Sequence, residues 1–145
     1  MRFSDRVYIV TGAGSGIGEA TAKRLAVDGA RVVVADVDEA GGRRVADQIV
    51  AAGGTAVFVA ANVADEQAVD HLVAFAVETY GRLDGAVNNA GVGQPVQRLH
   101  ETETATWDRL HAVDLRGVFL CLRAEIRHFL QTAAARSSTP APWPG

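Results

Sequence analysis

The sequence predicts an α/β fold, a doubly wound parallel sheet whose strands alternate with helices. Three observations predict it. Short, continuous, valine-rich apolar runs recur from Val7 to Asn88, the pattern of strands buried on both faces. Segments with helical spacing separate these runs, and glycine follows each of them, as it does where helices end. The resulting order is β-α-β-α-β-α-β-α, and right-handed crossovers then place the strands as 3-2-1-4.

Each element follows from its residues. Residues 7–10 are a β-branched run that stops at Thr11-Gly12 and read as the first strand. Residues 17–28 form a helix with Ala20, Ala22, Leu25 and Ala26 on its inner face, and Gly29 breaks it. Residues 31–36 are the second strand and 38–52 the second helix, closed by Gly53-Gly54. Residues 55–60 are the third strand and 65–80 the third helix, ended by Gly81. Residues 84–88 are the fourth strand and 91–101 a loop, and from 102 to about 132 the periodicity is helical, as two successive helices. The sheet is expected to be cut short after the fourth strand and the helix that follows it. Residues 133–145, with three of the four prolines, read as a disordered tail.

Composition narrows the function classes. A chain of 145 residues, 48% hydrophobic and 21% charged, suits one globular domain. A net charge of −3 provides no basic footprint for nucleic acid or an anionic membrane. No stretch reaches the roughly 18 apolar residues of a membrane span, and the first residues lack a secretory leader's apolar core. With a single cysteine, Cys121, there is no internal disulfide, and its apolar helical setting reads as buried filler. These features point to a cytoplasmic protein. His71, His100, His111 and His128 show no metal-ligand spacing, so no metal is expected.

The chemistry lies at the junction of the first strand and first helix. Thr11-Gly12-Ala13-Gly14-Ser15-Gly16-Ile17-Gly18 stands between them. Glycines there let the backbone approach a pyrophosphate, and the helix N-terminus presents free N–H groups and its positive dipole end. The alternative is a turn needed only for packing. Asp36 ends the second strand, where a carboxylate can accept from ribose hydroxyls and repel a 2′-phosphate. Arg31 lies at the far end of that strand and Val37 follows Asp36, so no adjacent base favours the phosphate. NAD is therefore expected ahead of NADP, and residues 1–132 read as a Rossmann-like dinucleotide-binding domain. The alternative for Asp36 is a solvated strand-end aspartate.

The turn Thr-Gly-x-x-x-Gly-x-Gly, together with Asn88-Asn89-Ala90-Gly91 after the fourth strand, resembles the classical short-chain dehydrogenase/reductase family over roughly residues 3 to 131. The resemblance implies that Gly12, Ser15, Gly16, Ile17 and Gly18 line the pyrophosphate and that Asp36 holds the adenosine ribose. Asn62 and Val63 stand where the family usually has Asp-Val beside adenine. Asn89, Ala90 and Gly91 would run beside the nicotinamide ribose; a strand-end turn is the plain alternative for Asn88-Asn89. Residues 112–119 are similar to the family's long helix on its dimer face, which makes a homo-oligomer through 112–130 a possible partner arrangement. Asp114 stands where the family often has an asparagine of its catalytic proton relay.

The family's chemistry also needs a serine on the fifth strand and Tyr-x-x-x-Lys on one helix face. Lys23 is the only lysine, and neither Tyr8 nor Tyr80 lies four residues before it. Ser137 and Ser138 sit in a proline-rich context unsuited to a central strand. Reading the tail from Ala135 in a shifted frame, with permitted codons, gives Ala-Ile-Val-Asn-Thr-Gly, similar to the family's fifth strand. The tail is therefore expected to be a frameshifted reading of a longer enzyme gene. Three functional readings follow: an NAD(P)-dependent oxidoreductase by family, moving hydride between nicotinamide and an alcohol or carbonyl substrate and inactive in this chain alone; a non-catalytic NAD-binding or dimerising module; or a non-functional product.

Overall fold

The computed structural model describes residues 1–136. Four parallel strands, β1 (Val7–Thr11), β2 (Arg31–Asp36), β3 (Thr55–Ala60) and β4 (Gly85–Asn88), form one sheet in the order β3-β2-β1-β4. That is the doubly wound order expected from the sequence. The register aligns Thr11 with Ala35 and with Asn88, so the carboxyl ends of β1, β2 and β4 open on one edge. Ligands of such sheets bind there, where the strand order reverses.

Side-chain alternation along the strands divides the core in two. Val10, Val32 and Val34 face α1 (Gly16–Val27) and α2 (Glu39–Ala51), meeting Ala22, Ala26, Val45 and Ile49. Val7, Ile9, Val33 and Val59 point to the opposite layer, α3 (Glu66–Tyr80) and α5 (Val118–Arg136). Leu72, Val73, Leu120 and Cys121 complete that layer. Helix starts are set locally. Asp38 Oδ1 accepts from Gly41 N, and Asp65 Oδ1 from Gln67 N and Ala68 N, each satisfying donors that the first turn leaves open. Gly81 ends α3 at φ 78°, a left-handed position that glycine adopts without strain.

The structure departs from the expected layout after β4. A 3₁₀ turn, Leu99–Glu101, interrupts the loop. α4 (Thr104–His111) then runs through a π-helical segment, Ala112–Gly117, into α5. The two expected helices are thus one helical run with a widened turn inside it. That run continues through Arg136, past the expected end near 132. Most of the expected tail, and the frame-shifted reading of it, lies outside the described residues. No helix among the described residues is long and apolar enough to cross a membrane.

Candidate functional site

A cleft of about 540 Å³ opens at the carboxyl edge of the sheet, within the range of small-molecule sites. Gly12, Ser15, Gly16 and Ile17 line it from the β1–α1 turn, Asp36 from β2, Asn62 and Val63 from the loop after β3, and Asn89, Ala90 and Gly91 from the loop after β4. All the cofactor-site residues named from the sequence meet there except Gly18. That glycine is buried beneath the turn, where an added Cβ would stand 2.1 Å from Gly12 O and 2.6 Å from Asn89 Nδ2. Its place is to let α1 close against the strand ends.

The turn itself is shaped by backbone. Gly12 and Gly16 hold φ of 63° and 55°, which side chains resist. Ser15 precedes α1 in an extended conformation and makes no side-chain cap bond, so no side chain covers the first-turn N–H groups beside the cleft. Free N–H groups at a helix start, flanked by glycines, fit a pyrophosphate.

Asp36 is fixed on both oxygens: Oδ2 accepts from Gly14 N at 2.8 Å and Oδ1 from Asp38 N at 2.9 Å. Each carboxylate oxygen keeps a second acceptor position, which is what a ribose diol requires. Asn62 Oδ1 accepts from Ala64 N at 3.0 Å. That bond closes the loop after β3, and the exposed Asn62 side chain keeps its amide N–H donors at that end of the cleft.

Across the cleft, β1 and β4 are stitched together by Thr11, which is 1% exposed. Its Oγ1 accepts from Asn89 N and Ala90 N, both at 3.1 Å, and Asn89 Nδ2 donates to Thr11 O and Gly12 O, both at 3.2 Å. Behind this, Asn88 Nδ2 donates to Glu125 Oε2 at 3.0 Å. Glu125 is buried on α5, and burial pushes its carboxyl above the usual range, with the Asn88 bond opposing.

The π-helical segment braces both loops. Asp114 Oδ1 accepts from Val92 N at 2.8 Å, and Arg116 Nη1 donates to Ala64 O at 2.7 Å. Gly117 packs against Val63, a contact that a Cβ would close to 2.7 Å. Asp114 is exposed and stands outside the cleft lining, with its bond to Val92 reaching the loop after β4. π-turns concentrate at functional sites, and this one sets the spacing between the two loops that flank the cleft.

Arg109 and Val113 also line the cleft from α4 and the π-helical segment, and went unnamed in the sequence reading. They lie four apart on one helix face, a spacing the sequence displays. Arg44 and Glu19, which grip the glycine turn from outside, carry no local signal at all.

Comparison with known proteins agrees with this geometry. The family model for short chain dehydrogenases matches residues 6–137. The chain belongs to the short chain dehydrogenase family. A relative in Sinomonas cyclohexanicum, cis-4-hydroxycyclohexanecarboxylate dehydrogenase, is 46% identical over 126 residues, covering 87% of this chain and 50% of the relative. Two solved short-chain structures are each 42% identical. A 3-ketoacyl-(acyl-carrier-protein) reductase from Brucella melitensis complexed with NADH superposes with a TM-score of 0.85 over 92% of this chain and 53% of its own. A metagenomic short-chain oxidoreductase in complex with NADP gives 0.81 over 86% and 56%. The family binds nicotinamide dinucleotides, and both forms occur among these neighbours. The chain spans about half the length of the curated relatives it matches.

Proposed function

We propose that the cleft binds a nicotinamide dinucleotide, NAD ahead of NADP, in service of hydride transfer between the nicotinamide and a secondary alcohol or its ketone. The observation that carries this is Asp36, held by Gly14 N–H at the end of β2 inside the same cleft as the glycine turn. A carboxylate there accepts from both ribose hydroxyls and repels a 2′-phosphate. When bound, the nicotinamide supplies or takes the hydride. The residues of this chain bind and orient: Gly12, Ser15, Gly16 and Ile17 at the pyrophosphate, Asn62 and Val63 at the adenine, and Asn89, Ala90 and Gly91 at the nicotinamide ribose. The Sinomonas cyclohexanicum relative, named for a ring alcohol, supports the alcohol–ketone class.

The 145 residues contain no Tyr-x-x-x-Lys, so this chain is proposed to bind without turnover. Fluorescence titration of the purified chain with NADH and NADPH tests both halves. Tighter NADH binding, with no loss of nicotinamide absorbance on adding cyclic ketones as hydride acceptors, supports the reading. Binding of neither dinucleotide, or turnover by these residues alone, overturns it.

A second reading has its own observation. Leu115, Phe119, Leu122, Ile126 and Leu130 stand 45–67% exposed along one face of the helical run. An apolar stripe of this kind marks an interface, and we propose a second copy of the chain as its partner. Sedimentation of Phe119→Glu with Ile126→Glu as a monomer, against an associating wild type, is the expected result.

A further inference from the structure

The sequence places no basic residue next to Asp36, yet the fold links one to it through Gly14. Arg44, on α2, donates from Nη2 to Gly14 O at 3.0 Å, while Gly14 N donates to Asp36 Oδ2 at 2.8 Å. One residue thus separates a guanidinium from the carboxylate that would meet the adenosine ribose. The junction is tight, since a Cβ on Gly14 would stand 2.9 Å from Asp36 Oδ2 and 3.1 Å from Gly42 N.

The guanidinium is held by a neighbour. Arg44 grips both oxygens of Glu19, Nη1 to Oε1 at 3.0 Å and Nη2 to Oε2 at 2.7 Å, and Lys23 Nζ donates to Oε1 as well. A two-pronged bond fixes the plane of the guanidinium along with its charge. Arg43, the other cation of α2, is committed to Glu39 at 3.6 Å and to the Phe58 ring at 5.2 Å. The Arg44 bond, with Lys23 second, pulls the Glu19 carboxyl down to about 2, so it stays ionised through the neutral range.

We propose that Glu19 is a specificity-determining residue for the dinucleotide: by neutralising and holding Arg44, it keeps free positive charge from the 2′ corner of the adenosine ribose and makes the site select NAD against NADP. The inference rests on the reading of the cleft as a nicotinamide-dinucleotide site. Glu19 does not line that cleft; it acts through Arg44 and Gly14. The cluster of Lys23, Glu19 and Arg44 carries one net positive charge when Glu19 is ionised, and two when a neutral glutamine replaces it. The added charge draws both dinucleotides through the pyrophosphate. NADP gains more, through a phosphate that NAD lacks and that carries about two negative charges near neutral pH. Across roughly one Debye length the difference amounts to about fivefold.

Dissociation constants of NADH and NADPH, measured on the purified chain at low and high salt for wild type, Glu19→Gln and Arg44→Gln, test it. Glu19→Gln is expected to lower the NADPH/NADH ratio of dissociation constants about fivefold at low salt, with the shift shrinking at high salt. Arg44→Gln, which removes the cation, is expected to raise the ratio. If Glu19→Gln does not fold, Glu19→Ala takes its place: a lowered ratio supports the inference and an unmoved one overturns it, as does an unmoved ratio in Arg44→Gln. A ratio unmoved in folded Glu19→Gln, or moved the same way by both variants, also overturns it. Wild type that binds NADH while the ratio stays put sinks this inference alone, whereas wild type that binds neither dinucleotide removes the reading of the cleft and this inference with it.

Discussion

Thr11 and Asn89 hold each other at the carboxyl edge of the sheet. The backbone N–H of Asn89 donates to Thr11 Oγ1 at 3.1 Å, and the Asn89 side-chain amide returns a bond to Thr11 O at 3.2 Å. Thr11 Oγ1 also takes the N–H of Ala90, so one hydroxyl satisfies both donors where the chain leaves β4. The pair closes β1 to β4 and sets the cleft wall opposite Asp36.

Replacing Thr11 by valine keeps the shape and removes the acceptor. The part-buried Ala90 N–H then loses its partner and the Asn89 N–H keeps only Val87 O, at 3.1 Å, a loss of about 2 kcal/mol in stability. Urea denaturation should show the midpoint falling with an unchanged slope, and NADH binding should weaken because Ala90 and Gly91 lose their support.

Two glycines of the turn should respond to alanine in opposite degree. At Gly18 the new methyl meets Gly12 O and Asn89 Nδ2, neither able to retreat without breaking the Thr11–Asn89 link. A loss of about 3 kcal/mol or more is expected, with loss of dinucleotide binding. At Gly16 nothing lies within 4 Å, and only the positive φ opposes the methyl, a cost of about 1 kcal/mol. Equal effects of the two substitutions in thermal melts would contradict the distinction.

Glu125 should make stability fall with rising pH. Burial raises its carboxyl above the ordinary value of 4.5, so the folded state holds the proton more tightly than the unfolded one. Its contribution is full below that ordinary value and is lost as pH rises through the raised one. Glu125→Gln removes the charge and can donate to Asn88 Oδ1, a buried acceptor with no partner. Unfolding followed across pH should show the variant about 1 kcal/mol more stable than wild type at neutral pH, with a flatter profile. A wild-type profile that rises over the same interval would refute the assignment.

Cys121 should be inert in the folded chain. Burial, followed by the nearby Glu125 charge, pushes its thiol up to about 12, and it is 2% exposed. Little thiolate forms at about pH 8, where a free cysteine is reactive. A thiol reagent should label it only on denaturation, and rapid labelling of native protein would show that α5 opens from the sheet.

Much of this protein is determined locally. Valine runs, glycine stops and right-handed crossovers predict the doubly wound sheet whose order here is β3-β2-β1-β4, because each strand–turn–helix unit is built from neighbouring residues and the chirality of the connection leaves few solutions. The same locality places Gly12 to Ile17 and Asp36 on one edge, since a residue at the end of a parallel strand can stand nowhere else. The tertiary structure alone decides what holds them. Glu19 and Arg44 are 25 residues apart and meet only when α1 and α2 pack side by side. Gly18 turns from lining to packing because the Asn89 side chain crosses the strand ends beneath the turn. Asp114, in a π-helical segment that a 3.6-residue pattern does not show, meets Val92 across 22 residues of chain. Contacts of that kind depend on how separate elements pack against one another, and no period along the chain encodes them.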